Sequence, residues 1–420
     1  MKNRACVFII LAAGYGKRMN SCLPKVLHEI GNFSMLRHVI CNAKKLSPTN
    51  IAVVIDFPLV ERLGYLENIQ LIIQESTLGT GDAVKTAMKS LNGLSDSSIV
   101  VIQYGDTPLI KSSTITKMLS FLEGKTLVCL GFKTSGNGYG RLVIENNLLR
   151  GIIEAQNRED SNEEFLANAG IMVAQAKDLR SLVEKIECNK LTHEYYLTDI
   201  VSIAIKSNLD VGYVTTEEEE AIGINDRSDL IKAEFYFQES QRKIFTNLGV
   251  TLVAPETVFF SFDTEIGMDS IIYPYVFFGP GVKIGSGTRI GPFTKCAYTS
   301  IGDNAVVGNF VEVKVSDIGK NTKIKHLSYI GNTKIGTGSN IGAGAVICNF
   351  DGKKKHETNI GSNCLIGANS SLIAPLSVHD ESIIAAGSII VKDVPRKRLV
   401  ITKRKQMIKK IKSSPIKDSS

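Results

Sequence analysis

Beyond Gly249 the chain repeats every six residues. Ile-Gly recurs at Ile284-Gly285, Ile290-Gly291, Ile301-Gly302, Ile318-Gly319, Ile330-Gly331, Ile335-Gly336, Ile341-Gly342, Ile360-Gly361 and Ile366-Gly367, with Val307-Gly308 and Ile324 in intervening slots. An aliphatic residue at the first place of each hexad is the signature of a left-handed parallel β-helix of hexapeptide repeats. Each hexad becomes one face of a triangular prism, the aliphatic side chain fills the axis, and three hexads complete a coil. The period slips twice, with eleven residues from Ile290 to Ile301 and thirteen from Ile347 to Ile360. Such slips predict a shortened corner or a protruding loop, and the second contains CNFDGKKKHETN.

From Cys6 to about Ile224 the pattern is different. Short β-branched runs (IAVVI at 51–55, LIIQ at 71–74, IVVIQYGD at 99–106) alternate with amphipathic stretches such as 81–91. This alternation predicts a three-layer α/β domain with a mostly parallel sheet and its ligand at the carboxyl ends of the strands. Ile231, Phe235, Phe237, Ile244 and Leu248 then stand among charges and predict a connecting helix. At 420 residues the chain exceeds what one core usually serves. The expected division is an α/β domain over 1–225, a connecting helix over 226–248, a β-helix over 249–392 and a basic tail over 393–420.

The net charge of +7 belongs to that tail, where eleven Lys or Arg from Lys392 onward meet only Asp393 and Asp418. A solvated end that can meet an anionic ligand is expected there, and no nucleic-acid partner. Eight scattered cysteines with no C-x-x-C pair exclude a zinc framework and a disulfide scaffold, and predict reduced thiols in a cytoplasm. The apolar run near the N-terminus is a strand's length and carries no small-residue cleavage site, so neither a leader nor a membrane span is expected.

The first candidate chemistry follows the first strand. CVFIIL at 6–11 runs into AAGYGKRM, and Pro24-Lys25 follows. A strand ending in Gly-x-Gly-x-Arg offers backbone N–H groups beside two cations, Arg18 and Lys25, which is what a triphosphate requires. Asp106 stands just past a strand end in IVVIQYGDTPLI, a place for an oxygen ligand of Mg²⁺; it also reads as a helix N-cap ahead of Pro108.

LAAGYGKRM followed by LPKVLH closely resembles the signature of sugar-1-phosphate nucleotidyltransferases. With the hexapeptide half, the chain resembles the bifunctional bacterial N-acetylglucosamine-1-phosphate uridyltransferase and glucosamine-1-phosphate acetyltransferase family from about residue 5 to about 405. The resemblance implies attack of a sugar phosphate on the α-phosphorus of UTP, with Arg18 and Lys25 catalytic and Leu11, Ala12, Ala13, Gly14 and Lys25 around the nucleotide. Gln74, Gly79 and Thr80 in IQESTLGTGDA would read the uracil edge. Tyr104, Gly105 and Asp106 would follow, with Asp106 and Asn225 of IGINDR holding Mg²⁺. Gly140, Glu154 and Asn168 in GYGR, IIEAQN and LANAGI would contact the sugar, with EYYLTDI at 194–200 shaping its pocket. Tyr15 and Lys17 depart from the family's more usual Lys and Thr, and Ala155 and Ala169 replace more polar residues.

In the second half, VGNFVEVK, KHLSYIG and NIGAGAVICNFDGKKK resemble the acetyltransferase part. The resemblance makes His326 the general base toward an amine, with Lys314, Tyr329, Asn340 and Lys355 around glucosamine-1-phosphate. Acetyl-CoA would lie near Asn349, Phe350, Ala368, Ala386 and Lys403 against a neighbouring subunit, implying a homotrimer. Departures collect here: IGPFTKCAYT keeps only Lys295 where the family is Arg-rich, and Phe350, Ala368 and Lys403 stand for Tyr, Ser and Arg. Two alternatives stay open, a nucleotidyltransferase whose β-helix is only a trimerising scaffold, and a binding protein that keeps the sugar-nucleotide pocket without turnover.

Overall fold

The computed structural model describes residues 5–14, 16–63, 66–136, 138–155, 163–402, 406 and 408. The chain forms two compact units, Met1–Glu239 and Ser240–Ser420.

In the first unit, β1 (Cys6–Leu11) pairs in parallel with β2 (Asn50–Ile55) on one side and β4 (Ile99–Tyr104) on the other, and β2 pairs in parallel with β3 (Gln70–Ile73). The sheet continues through β5 (Leu127–Thr134), β8 (Phe165–Gln175) and β9 (Val211–Thr216) in the order β9-β5-β8-β4-β1-β2-β3. Strand β8 runs antiparallel between β4 and β5, and a hairpin of β6 (Arg141–Glu145) and β7 (Leu148–Ile153) joins its edge. The sheet is thus mostly parallel, as the alternating pattern predicts. Val7, Phe8, Ile9 and Ile10 are all buried because both faces are covered, which is why this strand reads as an unbroken apolar run. Phe8 and Ile10 pack with Leu36 and Val39 of α1 (Met35–Lys44). Val7 and Ile9 pack on the opposite face with Val84 and Ala87 of α2 (Thr80–Ser90) and Leu179 of α3 (Ala176–Val183). These are the three expected layers. A further helix, α4 (Arg227–Asn247), occupies the stretch expected to be helical.

The second unit is the hexapeptide prism, with parallel pairing from coil to coil. Val307, Val313, Ile318, Ile324, Ile330, Ile335, Ile341 and Ile347 all point into one continuous core. Each such side chain contributes roughly 1.5–3 kcal/mol of burial. The register Arg289↔Val306↔Lys323↔Asn340 gives seventeen residues per coil, where three full hexads would give eighteen. Cys296, fully buried, explains the first slip: it takes the inward place between Ile290 and Ile301, and one corner is a residue shorter. The second slip is a protruding hairpin at 349–356.

Hydroxyls line the corners from inside. Ser270, Thr288, Thr322 and Ser339 are fully buried, and each donates to a backbone carbonyl of the next coil, those of Gly285, Gly302, Gly336 and Gly361, at 2.7 to 3.3 Å. Carbonyls that turn inward at a bend are satisfied this way without water.

Gly308 marks the tightest approach between coils: a Cβ there would lie 1.4 Å from the Lys325 carbonyl oxygen. Gly308→Ala is therefore expected to destabilise the β-helix by roughly 3 kcal/mol, the upper range of overpacking. Thermal unfolding followed by circular dichroism checks it, and an unchanged melting curve contradicts it.

Candidate active sites

The first site lies along the carboxyl edge of the α/β sheet. Because β1, β2 and β4 are parallel neighbours, the loops after Leu11, Ile55 and Tyr104 emerge side by side. The Gly105 N–H donates to the Leu11 carbonyl and the Ala12 N–H to the Val54 carbonyl, both at 2.8 Å, so Ala12, Ala13 and Gly14 leave a strand tied to both neighbours. Beyond the strand ends Lys25 forms an ion pair with Asp106, each side chain 17% exposed. The Lys25 ammonium also donates to Asn225 Oδ1 at 3.4 Å, and Arg18 donates to the same oxygen at 3.0 Å. Four residues separated by up to 207 positions thus meet. Asn225 is itself fixed by its N–H to Asp229 Oδ2 at 2.8 Å and by the Ile224 N–H to the Asp106 carbonyl at 3.0 Å.

One loop amide is already used. The Gly14 N–H donates to Asp56 Oδ2 at 3.0 Å, so this part of the loop after β1 is tied to a carboxylate at the end of β2. Asp56 was not among the expected site residues; its one sequence signal was its place after a parallel strand beside β1.

Gly79 has φ +103°, and a Cβ on it would lie 2.6 Å from the Tyr195 carbonyl oxygen, so no larger residue fits this turn. The Gly81 N–H reaches that carbonyl and the Tyr195 N–H reaches the Leu78 carbonyl, both at 2.8 Å. EYYLTDI therefore packs against the Gly-Thr-Gly turn. Thr80 Oγ1 accepts from the Leu197 N–H at 3.1 Å. Gln74 is buried, and its amide nitrogen donates to the Gly79 carbonyl at 3.2 Å and Asp82 Oδ2 at 2.7 Å. Both its amide hydrogens serve the loop itself, which leaves Oε1 for a ligand.

Among the residues expected to contact the sugar, the Asn168 N–H donates to the Gly140 carbonyl at 2.7 Å, and Asn168 Oδ1 accepts from the Gly170 N–H at 3.1 Å. Glu154 accepts from the Thr198 hydroxyl. Burial pushes the Glu154 carboxyl above its ordinary range, with the Thr198 bond opposing the shift. Burial likewise pushes the Tyr104 hydroxyl up, keeping it a hydrogen-bond donor beside Thr80. Thr198 was foreseen only as part of its segment.

The second site runs along one edge of the β-helix. His326 ends the strand Lys323–His326 with its ring turned outward and exposed, and its Nδ1 lies 2.5 Å from Oδ1 of Asn309, its partner in the preceding coil. The registers Ile324↔Ile341, Ile341↔Ile366 and Ile366↔Ile384, continued two residues onward, place His326, Ala343, Ala368 and Ala386 in one column. Around the next corner Lys314 pairs with Gly331, and a Cβ at Gly331 would lie 2.5 Å from the Tyr329 hydroxyl and 2.8 Å from Asn349 Nδ2. Lys314, Tyr329 and Asn349 therefore sit together. Lys295 pairs with Glu312 and holds its ammonium 5.7 Å from the Phe277 ring centroid. Asn340 does not join His326 within one copy: it stands opposite Lys323, three positions earlier on the strand. Phe350 and Lys355 face each other across the 349–356 hairpin, with Phe350 exposed. Lys403 lies outside the described residues, as do Tyr15 and most of the basic tail.

Residues 8–176 match the MobA-like NTP transferase domain, 263–298 the bacterial transferase hexapeptide (six repeats), and 357–392 the hexapeptide repeat of succinyl-transferase. The Bifunctional protein GlmU of Wolbachia sp. subsp. Brugia malayi (strain TRS) is 77% identical over 406 residues, covering 97% of this chain and 100% of that one. That of Wolbachia pipientis wMel is 68% identical over 98% of this chain and 100% of its own length. The chain belongs to the bifunctional GlmU family. A more distant member, from Anaplasma marginale (strain Florida), is 40% identical over 96% of this chain and 98% of its own length. The chain is accordingly a transferase with a nucleotidyltransferase half and a hexapeptide acetyltransferase half. No helix among the described residues is long and apolar enough to cross a membrane.

Proposed function

We propose that the chain makes UDP-N-acetylglucosamine in two steps, acetylating glucosamine-1-phosphate on its β-helix and then joining the product to UMP in its α/β unit. Two sites of different chemistry on one chain carry this reading: cations and oxygens gathered at one, an outward imidazole at the other.

In the second step, a phosphate oxygen of N-acetylglucosamine-1-phosphate attacks the α-phosphorus of UTP, and the bond to pyrophosphate breaks. Both reactants are anions, so positioning and positive charge do most of the work. Lys25 and Arg18 supply that charge at the carboxyl edge. Asp106 Oδ2 and Asn225 Oδ1 converge on one cation, the Lys25 ammonium. A carboxylate with an amide oxygen is a protein donor set that suits Mg²⁺ alongside substrate phosphates, and bound Mg²⁺ neutralises phosphate charge. The Gly79-Thr80 backbone and Gln74 Oε1 read the uracil edge, and Gly140, Glu154 and Asn168 hold the sugar.

In the first step, the amine nitrogen of glucosamine-1-phosphate attacks the thioester carbonyl, its proton passes to His326, and CoA leaves. Lys314, Tyr329 and Lys355 bind the phosphorylated sugar. Small side chains at Ala368 and Ala386 leave an open edge along the His326 column for the extended arm of acetyl-CoA, with Asn349 and Phe350 beside it. Asn340, displaced from His326 within a copy, serves the site of a neighbouring copy in a homotrimer. Stacked rings support that assembly: Tyr275, Phe293 and Phe310 lie 4.9 and 5.0 Å apart, and Leu327 continues their line next to His326. All four are more than half exposed, and their φ values of +51° to +59° turn apolar side chains outward at a conformational cost. Phe293→Glu is expected to convert the trimer to monomers, lowering the sedimentation mass threefold; an unchanged mass contradicts the assembly. Eight scattered cysteines with no C-x-x-C pair fit reduced thiols, and a cytoplasmic location, where UTP and acetyl-CoA are at hand, goes with this chemistry.

The purified chain is expected to release pyrophosphate from UTP with N-acetylglucosamine-1-phosphate, and CoA from acetyl-CoA with glucosamine-1-phosphate. Absence of both reactions overturns the proposal.

A further inference from the structure

The hairpin at 349–356 interrupts the run of hexads in the β-helix. At its root Asn349, 6% exposed, donates from Nδ2 to Asn332 Oδ1 at 2.7 Å. Its two short arms are joined by the His356 N–H to the Asn349 carbonyl at 2.7 Å and the Asp351 N–H to the Lys354 carbonyl at 3.2 Å. A two-stranded hairpin of this length has little stability of its own in water.

Asp351 closes it. Its Oδ1 accepts from the N–H groups of Lys353 and Lys354, both at 2.8 Å, and its Oδ2 lies 2.6 Å from His356 Nε2. One carboxylate therefore ties the turn to the returning arm, with the His356 side chain 20% exposed and the Asp351 side chain 42%. The other charged groups of the region point elsewhere or are open to solvent: Glu357 pairs with Lys334 at 3.1 Å, while Lys353, Lys354 and Lys355 are exposed. The His356 bond is also the largest cause of the low Asp351 pKa.

We propose that His356 is a positioning residue for acetyl transfer, pinning the hairpin through Asp351 so that the adjacent Lys355 meets the phosphate of the amino-sugar substrate. The proposal rests on the assignment of Lys355 to that substrate. A neutral or a protonated imidazole can donate from Nε2, so the pin depends on geometry rather than on charge.

The test uses the full-length chain with glucosamine-1-phosphate as probe and pyrophosphate release as internal control for folding. His356→Ala is expected to raise the KM for glucosamine-1-phosphate about fivefold with kcat within about twofold, the size of one modest hydrogen bond. His356→Gln, whose amide nitrogen occupies a similar place, is expected to return KM to within about twofold of the unsubstituted chain. Lys355→Ala should raise KM at least as much. An unchanged KM in His356→Ala, or a Gln variant as impaired as Ala, overturns the pin while leaving the Lys355 assignment intact. An unchanged KM in Lys355→Ala overturns that assignment and the pin with it.

Discussion

Replacing His326 by Ala is expected to slow CoA release roughly 10²- to 10⁴-fold, the range for loss of a general base. Pyrophosphate release should stay within about twofold. The expectation follows from the direction of one hydrogen bond. Nδ1 of His326 lies 2.5 Å from the amide oxygen of Asn309, and that oxygen can only accept. The ring must carry its proton on Nδ1, which leaves the lone pair on Nε2, the nitrogen free to take a proton from an attacking amine. Because the ring points away from the prism, its removal opens no cavity in the column of buried aliphatics, and loss of activity cannot be ascribed to unfolding. Asn309→Ala should give a smaller loss, since it removes the partner that fixes the tautomer and leaves the base in place. CoA release within about threefold of the original in His326→Ala would remove the imidazole from the mechanism and favour a β-helix that only assembles subunits.

The parts of this architecture that were legible in the sequence are those set by near neighbours. A period of six needs only successive side chains to alternate between axis and surface, so Ile284, Ile290, Ile301 and their successors could be placed in the core directly. The unbroken run from Val7 to Ile10 likewise announced a strand covered on both faces. Relations between coils were not legible, because they depend on register. The seventeen-residue step decides that His326 stands over Ala343 and that Asn340 falls opposite Lys323, and the protruding hairpin lengthens the next coil so that Ala368, then Ala386, continue the column. It also decides which hydroxyl meets which carbonyl at the corners. In the α/β unit, the cations around the loop after β1 could be named, but the Asp56 carboxylate on Gly14 and the inward commitment of the Gln74 amide arise from neighbours 42 and 8 residues away. His356 carried no signal beyond its place in the irregular stretch, since its partner is a carboxylate across a turn that only folding closes.

The complementary substitution, Asp106→Asn, is expected to lower pyrophosphate release roughly 10²- to 10³-fold, comparable to losing one preorganised electrostatic group, with CoA release unaffected. Asn keeps the shape of the side chain, and the bond from the Ile224 N–H to residue 106 uses the backbone carbonyl, so the loop geometry should survive. What disappears is one negative charge facing Lys25. In the native chain that charge holds the ammonium at the carboxyl edge, and Asn225 Oδ1 shares it with Arg18. Without it, the carboxylate half of the proposed Mg²⁺ donor set is gone, while the two cations are no longer balanced. A triphosphate should still bind, since net positive charge has increased; the defect should therefore appear in kcat more than in the KM for UTP, and the Mg²⁺ concentration giving half-maximal rate should rise. The two outcomes separate the roles of the residue. An N-cap role is already ruled out, since the helix after Pro108 begins at Ser112 with Lys111 at its cap; a pure loop-shaping role predicts a loss of thermal stability with a Mg²⁺ requirement that does not move. A kcat within a few-fold of the original at unchanged Mg²⁺ dependence would take Asp106 out of the chemistry and leave Lys25 and Arg18 as the working groups of that site.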